Sequence, residues 1–207
     1  TFSYRSLSLS FLIDASVGGS IFSNTNKTGK YTGVLANTLS GRDAEHGGLW
    51  YYTAAMGNNV RLPESPSYSV SSDGLYYAQV NGQSTRVYQD GIMVEGVTES
   101  GSKNEEVVSA EKYYHRIYSI AEANVYDASY VKLREVALSY RLPRLWTQKL
   151  HLQEASVTLT GRNLWTIYKS VPNIDPESAL TTGNAQGVEA YSLPTTRSFG
   201  VNLSVKF

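Results

Sequence analysis

The sequence has 207 residues with 18 basic and 18 acidic side chains, so its net charge gives no reason to expect a nucleic-acid partner. Charged residues make up only 17%, and Tyr supplies 16 of the aromatic side chains. This balance is typical of a surface that contacts a membrane interface or sugars. Cys is absent, which excludes disulfides and thiolate sites, and no apolar run is long enough for a transmembrane helix. Any membrane span must therefore be built from strands.

The first predicted strand covers about residues 6–22. Its apolar side chains share one parity: Leu7, Leu9, Phe11 and Ile13. Phe2 and Tyr4 have the opposite parity, which predicts a turn or bulge near residues 4–6. The two glycines at 18–19 mark a bulge or kink, beyond which Ile21 and Phe22 are expected to extend the strand.

Residues 23–127 have a different character, because turn signals are frequent and long alternating runs are absent. About a hundred residues are too many for an ordinary connection, so this segment is either an elaborate surface loop or a small inserted subdomain. One helix is predicted within it, over residues 104–120. Asn104 is the expected N-cap, and Glu105 and Glu106 suit the first turn.

Strand patterns return after Asp127. Predicted strands cover 128–142 and 155–168, joined by a short basic turn at 143–154, and a second loop at 169–194 follows. In the first of these strands, Lys132 and Arg134 share the parity of the apolar residues from Val136 onwards. Strict alternation therefore predicts one face that is apolar at one end and basic at the other.

In the last predicted strand, 196–207, the ten residues Ser198–Phe207 alternate without a break. Its apolar face consists of Phe199, Val201, Leu203, Val205 and Phe207. A strand of ten residues spans roughly 30 Å, which is enough to cross a bilayer when the strand is tilted. Four strands joined by long, short and long connections are typical of an outer-membrane barrel, but the smallest barrel has about eight strands. The chain therefore either holds more strands within 23–127 or is the end of a larger barrel.

Three ordered motifs resemble the SusC/RagA family of TonB-dependent outer-membrane transporters of Bacteroidota. They are Asp127–Pro143, Leu159–Trp165 and Asn173–Glu177, and Phe2–Asp14 and the terminal strand also fit. The resemblance implies an all-β protein in which residues 1–207 are the C-terminal strands of a large antiparallel transmembrane β-barrel, 22-stranded in the family. It implies long extracellular loops at 23–127 and 169–194. The family's plug domain has no counterpart in this sequence, and the chain is expected to be a fragment.

The resemblance also implies a function and a set of partners. The expected function is TonB-dependent import of oligosaccharides or peptides across the outer membrane, with a SusD-like surface lipoprotein as lid and TonB engaged through the plug. Phe207 is expected to serve the barrel-assembly machinery as a C-terminal signal, and the lipid-facing side chains are expected to be Phe199, Val201, Leu203 and Val205. Lys132 and Arg134 are expected to meet lipopolysaccharide phosphates at the outer leaflet.

The residues suggest no catalysis and no cofactor. The three His are scattered, and neither a zinc-protease motif nor a nucleophile elbow occurs. Asp175 is interpreted as part of a turn. Aromatic and amide side chains in the loops favour binding, so the candidate substrate or partner contacts are Trp50, Tyr51, Tyr52, Asn184, Gln186 and Tyr191. Packing within the loop is the competing interpretation for the aromatics. Two other functions remain open, a stand-alone structural or adhesive outer-membrane barrel and a soluble glycan-binding β-sandwich.

Overall fold

The computed structural model of the chain describes residues 1–62, 66–149, 151–178, 183 and 186–207. It contains 45% strand and 16% helix, which is consistent with an all-β fold. The chain divides into two compact units. We call Thr1–Thr25 with Val125–Phe207 the sheet unit, and Asn26–Asn124 the inserted unit.

The elements are numbered in chain order. The strands are β1 Phe2–Tyr4, β2 Leu7–Ser16, β3 Ser20–Ser23, β4 Leu49–Thr53, β5 Asn59–Arg61, β6 Tyr68–Val70, β7 Tyr76–Val80, β8 Gln83–Ile92, β9 Val108–Ser109, β10 Val125–Asp127, β11 Tyr130–Arg141, β12 Glu154–Lys169, β13 Val188–Glu189 and β14 Ser198–Lys206. The helices are α1 Asn24–Thr32, α2 Ala110–Ser119 and α3 Arg144–Lys149. Short 3₁₀ turns occupy Ala36–Thr38 and Glu122–Asn124.

The sheet unit is built on a five-stranded antiparallel sheet with the order β1-β2-β11-β12-β14. The predicted strands at 128–142, 155–168 and 196–207 are confirmed with small shifts of their ends. The predicted turn near residue 5 is also confirmed, since Arg5 has a φ of 54° between β1 and β2. The prediction of one strand over 6–22 is wrong, because β2 ends at Ser16 and β3 belongs to another sheet.

A β-bulge in β11 corrects the predicted faces of this strand. Leu133 pairs with Ile13 of β2 and Glu135 pairs with Leu12, so Arg134 is an extra residue without a counterpart. An extra residue reverses the parity of the strand on its two sides. Lys132 therefore lies opposite Asp14, on the face opposite the apolar residues, and the predicted half-apolar, half-basic face does not exist.

A second bulge in β12 explains the apolar residue that broke its alternation. Between the pairs Leu133–Trp165 and Glu135–Arg162, β12 contributes two residues where β11 contributes one. Asn163 takes a φ of 51° there. The side chain of Leu164 then folds over Gly161, where an added Cβ would lie 2.8 Å from Leu164 Cδ2. A larger residue at 161 would force the side chain of Leu164 to shift.

The sheet unit also contains a small three-stranded sheet with the order β10-β3-β13. Phe22 of β3 pairs antiparallel with Val125 of β10, and β13 pairs with β3 in parallel. Ile21, Val171 and Ile174 form a buried apolar cluster here. The two chain ends that lead into and out of the inserted unit are therefore held side by side.

The inserted unit has its own six-stranded sheet and its own core, so the subdomain interpretation of residues 23–127 is the correct one. Its core includes Trp50, Ala78 and Val87. The predicted helix is present but shorter, since α2 begins after the N-cap Ser109. The side chain of Asn104, the predicted cap, donates instead to the carbonyl of Val94. Across the described residues, no helix is long and apolar enough to cross a membrane.

Candidate functional site

One face of the five-stranded sheet is formed almost entirely by apolar side chains. Directly paired residues of antiparallel strands project from the same face, so the register defines its membership. Its large members are Phe2, Tyr4, Leu7, Leu9, Phe11, Ile13, Val131, Leu133, Val136, Leu138, Tyr140, Val157, Leu159, Trp165, Tyr168, Phe199, Val201, Leu203 and Val205. We call this set the apolar face.

The apolar face is widely exposed, and monomeric soluble proteins rarely leave a contiguous apolar surface of this kind uncovered. Phe199, Val201 and Leu203 of β14 are 80%, 74% and 64% exposed. Phe2, Leu159 and Trp165 on the other strands are also more than half exposed. Contiguous apolar patches of this kind mark a contact with a partner protein or with lipid.

The dimensions of the apolar face suit a membrane. From Leu7 to Ala15 along β2 the apolar rows extend roughly 27 Å, the same order as the apolar band of outer-membrane barrels, which is about 25 Å tall. Tyr4 and Tyr140 lie in the row nearest the short connections, and Trp165 and Tyr168 lie in the rows nearest the long ones. Aromatic residues at both ends match the girdles of such barrels.

The opposite face of the sheet, the polar face, consists mainly of small and hydrogen-bonding side chains. They are Ser8, Ser10, Asp14, Lys132, Glu135, Ala137, Ser139, Ser156, Thr158, Thr160, Arg162, Thr166, Ser198, Gly200, Asn202 and Ser204, with Leu12 as the apolar exception. Arg162 and Glu135 form a cross-strand ion pair at 2.9 Å. A polar face of small residues is what lines the water-filled interior of a barrel.

A cluster of charged groups lies at the end of the polar face that carries the long connections. The ammonium of Lys132, 4% exposed, lies 2.5 Å from a carboxylate oxygen of Asp175 and 2.5 Å from one of Glu177. Arg134 donates to Asp14 at 2.7 Å and to Glu177. The hydroxyl of Tyr130 donates to Glu177 at 3.0 Å. We call these six residues the charged cluster.

The loop carboxylates of the charged cluster are held in their ionised form. Burial raises the pKa of Asp175, but hydrogen bonds from Lys132 and Thr195 outweigh it and bring the pKa to about 2. Burial likewise raises the pKa of Glu177, and hydrogen bonds from Arg134, Lys132 and Tyr130 lower it below its ordinary value. Both carboxylates therefore carry full charge at neutral pH.

The charged cluster corrects one interpretation of the sequence and extends another. Lys132 is buried between two carboxylates and Arg134 is paired with two more oxygens, so their charges are neutralised by this chain rather than offered to lipopolysaccharide phosphates. Asp175 does take part in a turn, since its carbonyl accepts from the amide of Ser178. Its carboxylate also binds Lys132, which the sequence reasoning missed. The signal that could have suggested the pairing is the matching spacing of two basic residues at 132 and 134 and two acidic residues at 175 and 177.

The aromatic residues of the inserted unit serve its packing. Trp50 and Tyr51 are 6% and 5% exposed. The Trp50 ring stacks on Tyr68 with centroids 4.9 Å apart, and the Tyr51 ring stacks on Tyr88 at 5.1 Å. Their faces are occupied by neighbouring side chains, so the competing packing interpretation accounts for both. Tyr52, half-buried, packs against the same core.

The remaining predicted contact residues lie in the connection between β12 and β14. Tyr191 is 66% exposed, and Gln186 is exposed as well. Asn184 lies outside the described residues. The structure places Gln186 and Tyr191 on either side of β13, so both belong to the sheet unit rather than to the inserted unit.

Metal ligation finds no support in the described part of the chain, where no group of three or more His, Asp or Glu side chains is arranged to hold an ion. His46 is paired with Asp43, with Nδ1 and Oδ1 2.7 Å apart. His115 stacks on Tyr31 with ring centroids 4.0 Å apart. Both histidines thus have local structural partners.

No protein-family model matches the chain. Among curated proteins, it is similar to the TonB-dependent receptor P3 of Formosa agariphila, with 34% identity over 94 residues. This match supports a relationship of the chain to the TonB-dependent receptor family. The aligned region covers 42% of this chain and 9% of the relative, so the chain corresponds to a small part of that receptor. A TonB-dependent receptor is a transporter, which is consistent with the absence of a catalytic constellation from the sequence.

Proposed function

We propose that this chain forms the last strands of the barrel wall of an outer-membrane TonB-dependent receptor, with lipid on the apolar face and the transport passage on the polar face. The observation that carries the proposal is the exposed apolar face, whose rows match the height of a membrane band. The lipid-facing residues are then Phe199, Val201, Leu203 and Val205. The identity to a curated receptor points the same way.

The connections of the five-stranded sheet suggest its orientation. The connections between β2 and β11 and between β12 and β14 are long, whereas the connections from β1 to β2 and from β11 to β12 are short. Barrels of this class have short periplasmic turns and long extracellular loops. We therefore assign residues 23–127 and 169–194 to the outside, and Phe207 to the periplasmic rim as a C-terminal signal for the barrel-assembly machinery.

The finer assignment is a SusC-type transporter that imports oligosaccharides or peptides together with a SusD-like lipoprotein. The motifs Asp127–Pro143, Leu159–Trp165 and Asn173–Glu177 support it. Gln186 and Tyr191, exposed in an extracellular connection, are the proposed contacts for substrate or lipoprotein. Transport would be driven by TonB through a plug supplied by other parts of the receptor, and it requires gated passage rather than covalent chemistry.

Fractionation of cells that make the full-length protein tests this proposal. We expect the protein in the outer-membrane fraction, resistant to salt and alkali washes and released only by detergent. Recovery as a soluble monomer would contradict the proposal and favour the soluble β-sandwich. Uptake of labelled oligosaccharides and peptides, compared in the presence and absence of TonB, tests the transport step. Uptake that does not depend on TonB would favour a passive or structural barrel.

A further inference from the structure

A small cavity lies within the inserted unit, bordered by the end of α1, the end of β8 and the start of α2. Its volume is about 290 Å³, at the lower end of the range of small-molecule pockets, roughly 300–1,000 Å³. Its wall residues all belong to Asn26–Asn124, so the cavity is contained in one unit. A cavity of this size suits a single small molecule rather than a polymer.

One wall of the cavity carries Asp90, which occupies a β-bulge of β8. Between the pairs Leu49–Gly91 and Tyr51–Tyr88, β8 contributes two residues where β4 contributes one. Bulges redirect side chains and are frequent beside functional sites. The carboxylate of Asp90 accepts a hydrogen bond from the Tyr51 hydroxyl at 3.2 Å, and within the described residues it has no cation partner.

Arg42 brings the opposite charge to the same cavity. Its Nη2 donates to the carbonyl of Gly33 and to the hydroxyl of Thr38, which are neutral acceptors. No carboxylate in the described part of the chain pairs with it. A guanidinium has five N–H donors in a fixed fork, and both contacts use Nη2, so Nη1 and Nε are available to a ligand.

The separation of these charges is the unusual feature of the cavity. Opposite charges attract more strongly as they approach, yet Arg42 and Asp90 line one small space without pairing. Glu111, on the first turn of α2, lines it too and has no cation partner among the described residues. Lys30 also reaches the wall, but its ammonium donates to the carbonyl of Ala123.

Two aromatic rings complete the wall. Tyr31 and His115 stack with ring centroids 4.0 Å apart and an angle of 14° between their planes. Tyr31 remains 46% exposed, so the ring pair offers apolar surface beside the charged groups. The cavity therefore combines a cation, carboxylates and an apolar wall.

We infer that this cavity binds a small zwitterion of the α-amino-acid class. The ligand's carboxylate binds the guanidinium of Arg42, its ammonium binds the carboxylate of Asp90, and its side chain lies against the ring pair. Charge-assisted hydrogen bonds are roughly twice as strong as neutral ones, so a neutral sugar uses this wall less well. Binding at this site goes beyond the proposed function and does not require it.

Isothermal titration calorimetry of the purified full-length protein tests this inference. The probes are L-phenylalanine and L-leucine, with phenethylamine, which lacks the carboxylate, and 3-phenylpropionate, which lacks the ammonium. Glucose represents a neutral sugar. We expect L-phenylalanine to bind at least about tenfold more tightly than either singly charged analogue, because each analogue loses one charged hydrogen-bonding contact.

Two variants assign the two ends of the ligand. Asp90→Asn keeps an acceptor for Tyr51 but removes the charge, so it should weaken L-phenylalanine about tenfold and leave 3-phenylpropionate unchanged. Arg42→Gln should weaken L-phenylalanine similarly and leave phenethylamine unchanged. The matched control is Glu99→Gln, an exposed carboxylate of the same unit outside the cavity wall, which should alter none of these affinities.

The inference is overturned if folded protein binds neither amino acid, or if L-phenylalanine and its two analogues bind equally. Tighter binding of glucose would also overturn it and assign a neutral sugar to the cavity. Unchanged affinity in both Asp90→Asn and Arg42→Gln would place any binding elsewhere.

Failure of this inference and failure of the proposed function give different results. Protein that binds the amino acids but is absent from the outer-membrane fraction would contradict only the proposed function. Protein that resides in the outer membrane and binds neither amino acid would contradict only the zwitterion site.

Discussion

At the residue scale, Lys132 shows how a charge becomes structural. Its ammonium is 4% exposed and satisfied by Asp175 and Glu177. Removing one partner of a buried ion pair leaves the others desolvated without compensation, which is more damaging than the pair is stabilising. The same sheet face holds the Arg162–Glu135 pair, in which Arg162 is mostly exposed and the attraction is screened by water.

Replacing Lys132 by Met should therefore destabilise the folded protein by about 3–5 kcal/mol, because the buried carboxylate of Asp175 loses its cation, whereas Glu177 keeps Arg134. Replacing Arg162 by Met should cost only about 0–1 kcal/mol, because that pair is exposed. Heat-induced unfolding of the detergent-purified protein, followed as the shift in electrophoretic mobility, measures both. Equal losses for the two variants would show that burial does not distinguish the pairs.

The pH dependence of stability follows from Asp175. Its folded pKa, about 2, lies below the unfolded value of 3.8, so its contribution is fully present above pH 3.8 and is lost as the pH falls towards 2. We expect the unfolding temperature to be unaffected by Asp175 titration above pH 4 and to fall below it. In Asp175→Asn the fall below pH 4 should be smaller than in the unmodified protein, and an identical fall would contradict the assignment.

At the element scale, alternation in the sequence was sufficient to predict β11, β12 and β14 but not the faces of β11. Apolar and polar residues alternate over most of each strand, because successive side chains point to opposite faces of the sheet. The bulge at Arg134 shifts the parity by one, and no Gly or Pro marks it. The end of β2 at Ser16 was missed because Ile21 and Phe22 continue an apolar pattern that belongs to another sheet.

The assignment of faces in β14 can be tested with neighbouring residues. Val201 lies on the apolar face opposite Leu159, and Asn202 lies on the polar face opposite Thr158. Arg at position 201 should disfavour membrane insertion by about 2–4 kcal/mol near the midplane, whereas Arg at 202 should be tolerated in a polar interior. Outer-membrane levels of the two full-length variants measure this. A greater loss for Asn202→Arg would reverse the two faces.

At the scale of the whole molecule, the sequence predicted a sheet with long connections at one end, but not what those connections build. For the inserted unit, the sequence left two interpretations open, a surface loop and a subdomain. Its strands are short, and its aromatic residues, such as Trp50, suit a binding surface as well as a core. The charged cluster was missed because its members come from three distant parts of the chain: Lys132 and Asp175 are 43 residues apart, and Arg134 and Asp14 are 120 residues apart. Only the fold brings them together.

The positions at which the chain enters and leaves the inserted unit predict that the five-stranded sheet can form without this unit. Phe22 and Val125 are paired across β3 and β10, so the chain leaves and re-enters the sheet unit at adjacent positions. Replacing residues 26–124 by a linker of about four residues, enough for a hairpin loop, should therefore leave the five-stranded sheet able to form. Thr25 must be kept, because its hydroxyl binds Glu189.

We expect this deletion variant of the full-length protein to reach the outer membrane at levels close to normal, since none of the paired strands β1, β2, β11, β12 and β14 is removed. A matched variant that keeps residues 26–124 but lacks Phe207 should assemble less well, if the terminal aromatic serves as the assembly signal. Loss of assembly in the linker variant alone would show that the inserted unit is required to build the wall. Normal assembly with altered uptake would place the unit's contribution in transport, because the wall would be intact while the extracellular surface had changed.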